Sequence, residues 1–498
     1  MKKKLLNWSL ILTCVVMFWF GLLNHQQTTG STENTRLIHG VERLSFGLAP
    51  GDITKVKQMG FENYLQSQLH PKKGQKNPAI QSYWAKLDTV KRSPMSLLKE
   101  SQQYNANFLR RNGVNPTTEE QKKLQKKLGS FKRKTMHQAQ DAHLIKGIFS
   151  PNQLQEVMVD FWFNHFNVYG QKKIIYIWLA DYEQEIREHA LGNFRDLLDV
   201  TAHHPAMLLY LDNDLNINPN SPAAQKKNKG LNENYARELM ELHTLGVNGG
   251  YTQEDVITLA RIFTGWSVDY SGKNADENGF RFFKVWHDNQ DKTFLGNAIQ
   301  GSGLEEGEQA LDILANHPAT ARFISYKLAQ YFVADQPPET LVKKLQNKFL
   351  ESQGNITAVL NVLFHSEEFN NPQYYEQKFK TPYQYLVSLV RAGDITPDIR
   401  RMKGMLHQLS MPIYRCETPD GYKNTKQAWL NPEAMLRRVS IATSISNGIL
   451  NKKQPVKFPR LKVTLGNNFS QHTKNAIAKS PPHLRSALAL GSPEMMNK

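Results

Sequence analysis

Residues 232–266 read NENYARELMELHTLGVNGGYTQEDVITLARIFTGW. Asn232 is a natural N-cap, and the spacing predicts a helix from there to about Leu245, ended by Gly246 and the Gly249-Gly250 pair. Thr252, with Asp255 three residues on, predicts a capped restart. Tyr235, Leu239, Leu242 and Leu245 form one apolar stripe, with His243 on that side and Glu238 at its edge. Glu233, Asn234, Arg237 and Glu241 fall opposite, and the Glu233–Arg237 and Arg237–Glu241 spacings suit i,i+4 ion pairs. A charge ladder that ordered, leading into a tight glycine turn, is expected to be buried against helices over 151–168 and 173–191.

Working outward, the upstream chain reads as helix after helix. Arg36 to Leu69 suggests two short helices around Phe46–Pro50, and residues 97–148 suggest a polar helical hairpin forming a basic arm. Ser150-Pro151 has the N-cap and N1-proline signature. In the following helix Leu154, Met158, Phe161 and Trp162 share a face with His165, while Phe163 and Phe166 cover the other side. A helix over about 173–191 places Glu185 and His189 one turn apart, a spacing that suits one metal ion or one hydrogen bond. The run Asp212 to Asn218 imitates half of a calcium loop, but Ile217 and Ala223 occupy the positions that need glycine and glutamate, so it reads as an Asn/Asp-rich loop.

Downstream, Phe280–Trp286 and Lys292–Leu295 flank His287-Asp288 and predict a β-hairpin over 280–296. Helices are expected at about 305–316, 318–334, 338–351, 355–365, 382–392, 395–409 and 432–447. The fold class is therefore a mainly α, large multi-helix domain over 36–450, with at most that small hairpin, preceded by an N-terminal apolar anchor helix. The stretch 451–498 is basic, has no sustained amphipathic period, and is expected to be disordered.

Charge and cysteines narrow the function classes. The net charge is +17. Residues 1–30 hold three lysines and no acid, 109–134 hold nine basic residues against Glu119 and Glu120, and 451–498 hold nine against Glu494; the remainder sums to −1. A nearly neutral core with basic periphery suits an anionic envelope surface, met by the arm and tail, better than nucleic acid. Cys14 lies in the leading apolar run, so Cys416 stands alone outside it and no intramolecular disulfide is expected. Lys2, Lys3 and Lys4 before the apolar run Leu5–Leu23 predict export across the inner membrane, by a signal peptide or by an uncleaved anchor with the N-terminus inside.

The chain resembles the domain of unknown function 1800 family. The resemblance rests on Arg43-Leu44-Ser45-Phe46-Gly47, Phe161-Trp162-Phe163-Asn164-His165-Phe166, Ala190 to Leu198 and Pro205 to Asp212. It continues through 232–266, His287-Asp288, Lys292 to Gly296, His317 to Ala321 and Trp429 to Pro432. It implies an exported, largely helical protein, often encoded beside a second exported protein that would be its partner. It carries no agreed activity.

Candidate chemistry comes from the residues. His165, Glu233, Arg237, Glu238, Glu241, His243, His287 and Asp288 are the catalytic candidates, and His165, Glu185 and His189 the candidate ligands of a divalent metal. Burying such groups unpaired costs a few kcal/mol, so they must find partners. No nucleophile elbow, HExxH, phosphate loop or dinucleotide fingerprint occurs. Two function classes remain: a metal-assisted or acid–base hydrolase of an envelope or extracellular polymer, and a non-catalytic envelope scaffold or secretion partner. The cofactor is otherwise unknown.

Overall fold

The helix expected from Asn232 begins at Asn234 and changes pitch halfway. In the computed structural model, which describes residues 32–72, 77–227, 230–272, 276–466 and 468–498, Asn234–Glu238 is α-helical and Leu239–His243 is a π-helical turn. Thr244 Oγ1 donates to Leu239 O at 2.7 Å, and Gly246 N donates to Met240 O at 3.1 Å, which closes the widened turn. Gly246 then takes φ +81°, and a side chain there would meet the Phe323 ring at 3.0 Å. Both the left-handed backbone and the close approach demand glycine. Thr252 and Asp255 form the expected capping box of Gln253–Ile262.

The described residues are mainly helical, 63% of them, with small antiparallel strand pairs besides. Numbering just the helices that frame the site, these are α1 (Thr118–Phe149), α2 (Gln153–His165), α3 (Leu179–His189), α4 (Phe194–Ala202), α5 (Asn234–Glu238), α6 (Gln253–Ile262), α7 (Leu304–Asn316), α8 (Pro318–Phe332) and α9 (Pro382–Ala392). Helix α2 lies at the centre. Leu154, Val157, Met158, Val159, Phe161, Trp162 and Phe163 are all buried, so it has no solvent face. Trp162 Nε1 donates to Ala190 O at 3.0 Å and Tyr182 OH to Phe166 O at 2.7 Å. Each aromatic thus contributes roughly 2 kcal/mol of burial without leaving a polar atom orphaned.

Several elements differ from the sequence reading. The basic arm is no hairpin: after two short helices, Pro94–Gln103 and Ala106–Arg111, α1 runs unbroken for 32 residues from a Thr117/Glu120 capping box. Its lysine-rich first half is exposed and its second half is core, from Phe131 and Met136 to Ile148. Ser150 closes α1, and α2 starts only at Gln153. The 173–191 helix is a 3-10 turn, Ile175–Ile177, followed by α3. The single hairpin over 280–296 is corrected to two strand pairs. β1 (Trp266–Val268) pairs with β2 (Phe280–Phe282), and β3 (Lys292–Phe294) pairs with β4 (Asn297–Ile299). Strand 280–282 folds back on Trp266, which the reading of 232–266 as helix, glycine turn and helix puts at the end of the second helix.

The expected disorder of 451–498 is also corrected. Phe458–Leu465, Gln471–Lys479, Arg485–Leu490 and Pro493–Met496 are helices. They bury Leu461, Leu465, Ile477, Leu488, Leu490 and Met496. Lys498 exchanges backbone hydrogen bonds with Lys378, at 2.8 and 3.2 Å. Four helices of nine residues or fewer are too short to show a 3.6-residue period. The anchor expected over 5–23 lies outside the described residues, and among those no helix is long and apolar enough to cross a membrane.

The Arg237 ladder is solvated, not buried. Arg237 and Glu233 side chains are 37% and 36% exposed, and their pair at 3.0 Å is shared with Gln253. Glu241 is 28% exposed and 3.9 Å away.

Two stability outcomes follow. Arg237→Ala should melt within about 1 kcal/mol of the parent, because exposed pairs contribute only tenths; a loss of several kcal/mol would mean the ladder is buried. Ending the chain after residue 450 should abolish the parent's cooperative melt by circular dichroism, since single buried leucines are worth about 2–5 kcal/mol each. A truncated chain that keeps the transition would return the tail to a dispensable appendage.

Candidate functional site

The arrangement begins at Asn164, one residue before the end of α2. Its Nδ2 donates to Tyr422 O at 2.9 Å, and Tyr422 N donates to its Oδ1 at 2.8 Å. This two-way amide clamp ties the 411–424 loop to α2. Gly421, at φ +70°, has room for no side chain, because a Cβ would sit 2.2 Å from Asn164 O. Asn167 Nδ2 adds bonds to Cys416 O and Thr418 O at 3.1 and 2.8 Å. The loop, the end of α2 and one face of α8 enclose a cavity of about 280 Å³. Asp160, His165, Lys327, Tyr331 and Asp420 line it.

Asp160 is 15% exposed. Burial pushes its carboxyl up to about 6, against the opposing pull of His143 and Lys498. His143 Nε2 lies 4.0 Å from Oδ1, and the Tyr331 hydroxyl lies 3.5 Å from Oδ2. Behind Asp160 the polar groups continue as a buried chain. His143 Nδ1 is 2.7 Å from Glu183 Oε2, which also accepts from the Tyr414 hydroxyl. Arg187 Nη2 donates to Glu183 Oε1 at 2.6 Å and to Glu156 Oε2 at 2.9 Å. Burial opposes charge on both His143 and Glu183, yet their mutual attraction prevails: His143 is raised and Glu183 held well below the ordinary value.

On the α8 side, burial brings the Lys327 amine down to about 8. Among the described residues its one close partner is the Phe323 ring, 5.1 Å from Nζ. Asp420 already pairs with Lys423. His165 turns its Nε2–H to His243 O at 3.0 Å and leaves Nδ1 without a partner; His243 has a partner on neither nitrogen. The two rings are 5.9 Å apart, amid Phe161, Phe166 and Phe323. Burial, and after it the charge of Lys327, holds His165 well below its usual value and His243 at about 3, so both imidazoles are neutral.

The sequence candidates therefore separate. His165 lines the cavity and His243 stands behind it on the π-turn, a feature that often marks functional sites. Glu233, Arg237 and Glu241 form the half-exposed ladder. Glu238 is half-buried beside Glu241, and burial raises its carboxyl. His287 and Asp288 close over nothing. His287 Nδ1–H donates to Thr264 O at 2.8 Å and its Nε2 meets Glu306 Oε1 at 2.8 Å. Lys292 saturates Glu306 Oε2 at 2.6 Å, and Arg261 holds Asp288 at 2.8 Å. That cluster is a satisfied structural network.

The candidate metal set is not assembled. His189 Nδ1–H donates to Glu185 O at 2.9 Å, so the two side chains do not converge on a common ligand point. Among the described residues one other group has metal-like spacing, Asp199, His203 and Glu308. Arg195 already bridges Asp199 and Glu308 at 3.0 and 2.8 Å. The same two carboxylates, overcoming burial, raise His203 to about 9, so it is a cation stacked 4.1 Å from Trp266. Asp212 and Asp214 of the imitation calcium loop pair with Lys172 and Lys173.

Asp160, Lys327 and Asp420 escaped the sequence reading. Asp160 sits in an apolar run directly before Phe161, and that placement was the available signal. A larger cleft, about 1060 Å³, lies elsewhere and is lined by Trp84, Lys146 and Arg187 among others. There Lys146 donates to the Gln184 amide at 3.0 Å and Arg187 pairs with Glu156. The smaller cavity brings a carboxyl, an amine without a hydrogen bond among the described residues and a neutral imidazole together, and that combination outweighs volume.

Fold and site together define a large helical protein with a buried polar centre opening on a small cavity. Residues 39–497 match the DUF1800 family, described as a protein of unknown function, and the chain belongs to that family. It matches no curated protein and no solved structure.

The neutral histidines set a pH response. Folded His243 binds no proton between its ordinary value near 6.5 and about 3, whereas the unfolded chain does. Stability from this site is therefore present above about 6.5 and is lost as pH falls toward 3. His243→Phe should flatten the fall in denaturant midpoint over that window relative to the parent; equal slopes would mean the imidazole is not held neutral.

Proposed function

We propose that the protein is an acid–base hydrolase and that Asp160 is its proton-transferring group. The observation that carries this reading is one cavity lined by a carboxyl poised at about 6 and an amine poised at about 8, both shifted by burial. Asp160 as carboxylate would take a proton from an attacking water and return it to the leaving group. The His143–Glu183 pair behind it fixes its surroundings. Lys327, as ammonium, offers positive charge where negative charge develops. His165, neutral, keeps an unpartnered Nδ1 available beside the cavity as an acceptor.

An envelope or extracellular polymer is the proposed substrate, and the lysine-led apolar run over 5–23 supports an exported protein working there. Lysines 122, 123, 126 and 127 on the exposed half of α1 support attraction to an anionic envelope surface. The scaffold alternative would rest on an apolar docking face. The exposed large apolar residues, Val114, Val247, Val285 and Val463 among them, stand far apart along the chain.

The test is hydrolysis of a panel of polysaccharide, peptidoglycan and polyester substrates by the purified chain. Activity should be bell-shaped in pH. It should rise through about 6 as Asp160 loses its proton, and fall through about 8 as Lys327 loses its own. Asp160→Asn should lower the rate by about 10²–10⁴ while leaving the melt intact. An active Asp160→Asn variant would contradict the assignment.

A further inference from the structure

We infer that Lys327 binds an anionic group of the ligand, a carboxylate or a phosphate, in the cavity between α2, α8 and the 411–424 loop. The inference rests on the proposed hydrolase site and says what its substrate must carry.

The reason is an unbalanced charge. Lys327 is half-buried, and among the described residues it has no hydrogen bond and no ion pair. Cations buried more deeply in this chain have oxygen partners: Lys292 has Glu306, Lys378 has Asp335, and Arg187 has Glu156 and Glu183. Lys327 rests instead on the Phe323 ring. Burial, and after it the charge of Lys327, keeps both neighbouring imidazoles neutral, so neither adds a second positive charge beside it.

The nearest carboxylate acting on Lys327 is Asp420, which Lys423 already holds across three residues. Asp160 lines the same cavity but interacts with His143 and Lys498, not with Lys327. Among the described residues the cavity therefore offers one unneutralised ammonium, beside the Asp420–Lys423 pair that also lines it. An uncompensated buried cation is costly, and an incoming anion removes that cost. The 280 Å³ volume admits one small charged unit, such as the acidic end or side group of a polymer.

The test measures Lys327 itself and needs no turnover. The full chain is reductively methylated with labelled formaldehyde at constant ionic strength, in chloride, acetate or inorganic phosphate. The Lys327 peptide is quantified by mass spectrometry. At an anion concentration about ten times its dissociation constant, labelling should slow about tenfold. Protection by acetate alone identifies a carboxylate ligand, and protection by phosphate alone a phosphorylated one. The same anion should raise the melting temperature of the parent and of Lys327→Arg, but not of Lys327→Met. Unchanged Lys327 labelling in both anions, or a full thermal shift in Lys327→Met, would overturn the inference. The hydrolase reading fails separately: anion protection in a chain inactive on every substrate leaves the binding site standing and removes the chemistry. Asp160-dependent hydrolysis without protection does the reverse.

Discussion

Arg187 is the contact on which the central helices depend. Its guanidinium lies between Glu156 of α2 and Glu183 of α3, and Glu183 in turn holds His143 of α1 and Tyr414 of the site loop. Three helices and a loop are thereby fixed by one buried cation and two carboxylates. Such pairs add little over a well-packed apolar core, but removing one partner strands the others and typically costs about 3–5 kcal/mol. The network specifies geometry more than it adds stability. Because α2 is covered on every side, apolar packing alone would leave its rotation loosely determined. Glu156 and Asp160, one turn apart, set which side faces α1 and α3 and so which side faces the cavity.

The consequence for chemistry is that Asp160 is at the end of an ionic chain it does not join. Four ångströms from His143, it feels the imidazolium without forming a close pair, and burial dominates its titration. Lys327 holds the complementary position across the cavity, a cation without a counter-charge. One end of the centre is thus over-supplied with partners and the other under-supplied, and a ligand is what would balance it.

Much of the helical architecture was legible. Thr381-Pro382 and Asn431-Pro432 carry the same cap-then-proline signature as Ser150-Pro151, and Pro382–Ala392 and Pro432–Ser446 lie within a residue of the expected bounds because Thr381 and Asn431 do cap them. The breaks came where local rules compete with packing. The π-turn at 239–243 keeps an α-like pattern of leucines, and nothing in a helical wheel distinguishes a widened turn. Strand 280–282 chose Trp266 rather than 292–294 because Trp266, Phe263 and His203 form a stacked aromatic patch that covers Phe280. The tail reads as disordered because proline and basic residues divide it into helices of nine residues or fewer, whose apolar positions acquire meaning only against the 382–392 and 432–446 helices.

The site was half legible. His165 and His243 declared themselves as imidazoles among apolar neighbours. Glu233, Arg237 and Glu241 misled, since an i,i+4 ladder has the same spacing in water as in a core. Asp160 and Lys327 were hidden by their surroundings, one within an aromatic run and the other on an ordinary amphipathic helix, and only the loop clamped by Asn164 brings them to one cavity. The central claim is therefore about the carboxyl of Asp160. A carbon-13 carboxyl titration of the aspartate-labelled chain by nuclear magnetic resonance tests it most directly. The account predicts one aspartate titrating near 6 whose signal disappears in Asp160→Asn; an Asp160 titrating in the ordinary range near 4 would contradict it.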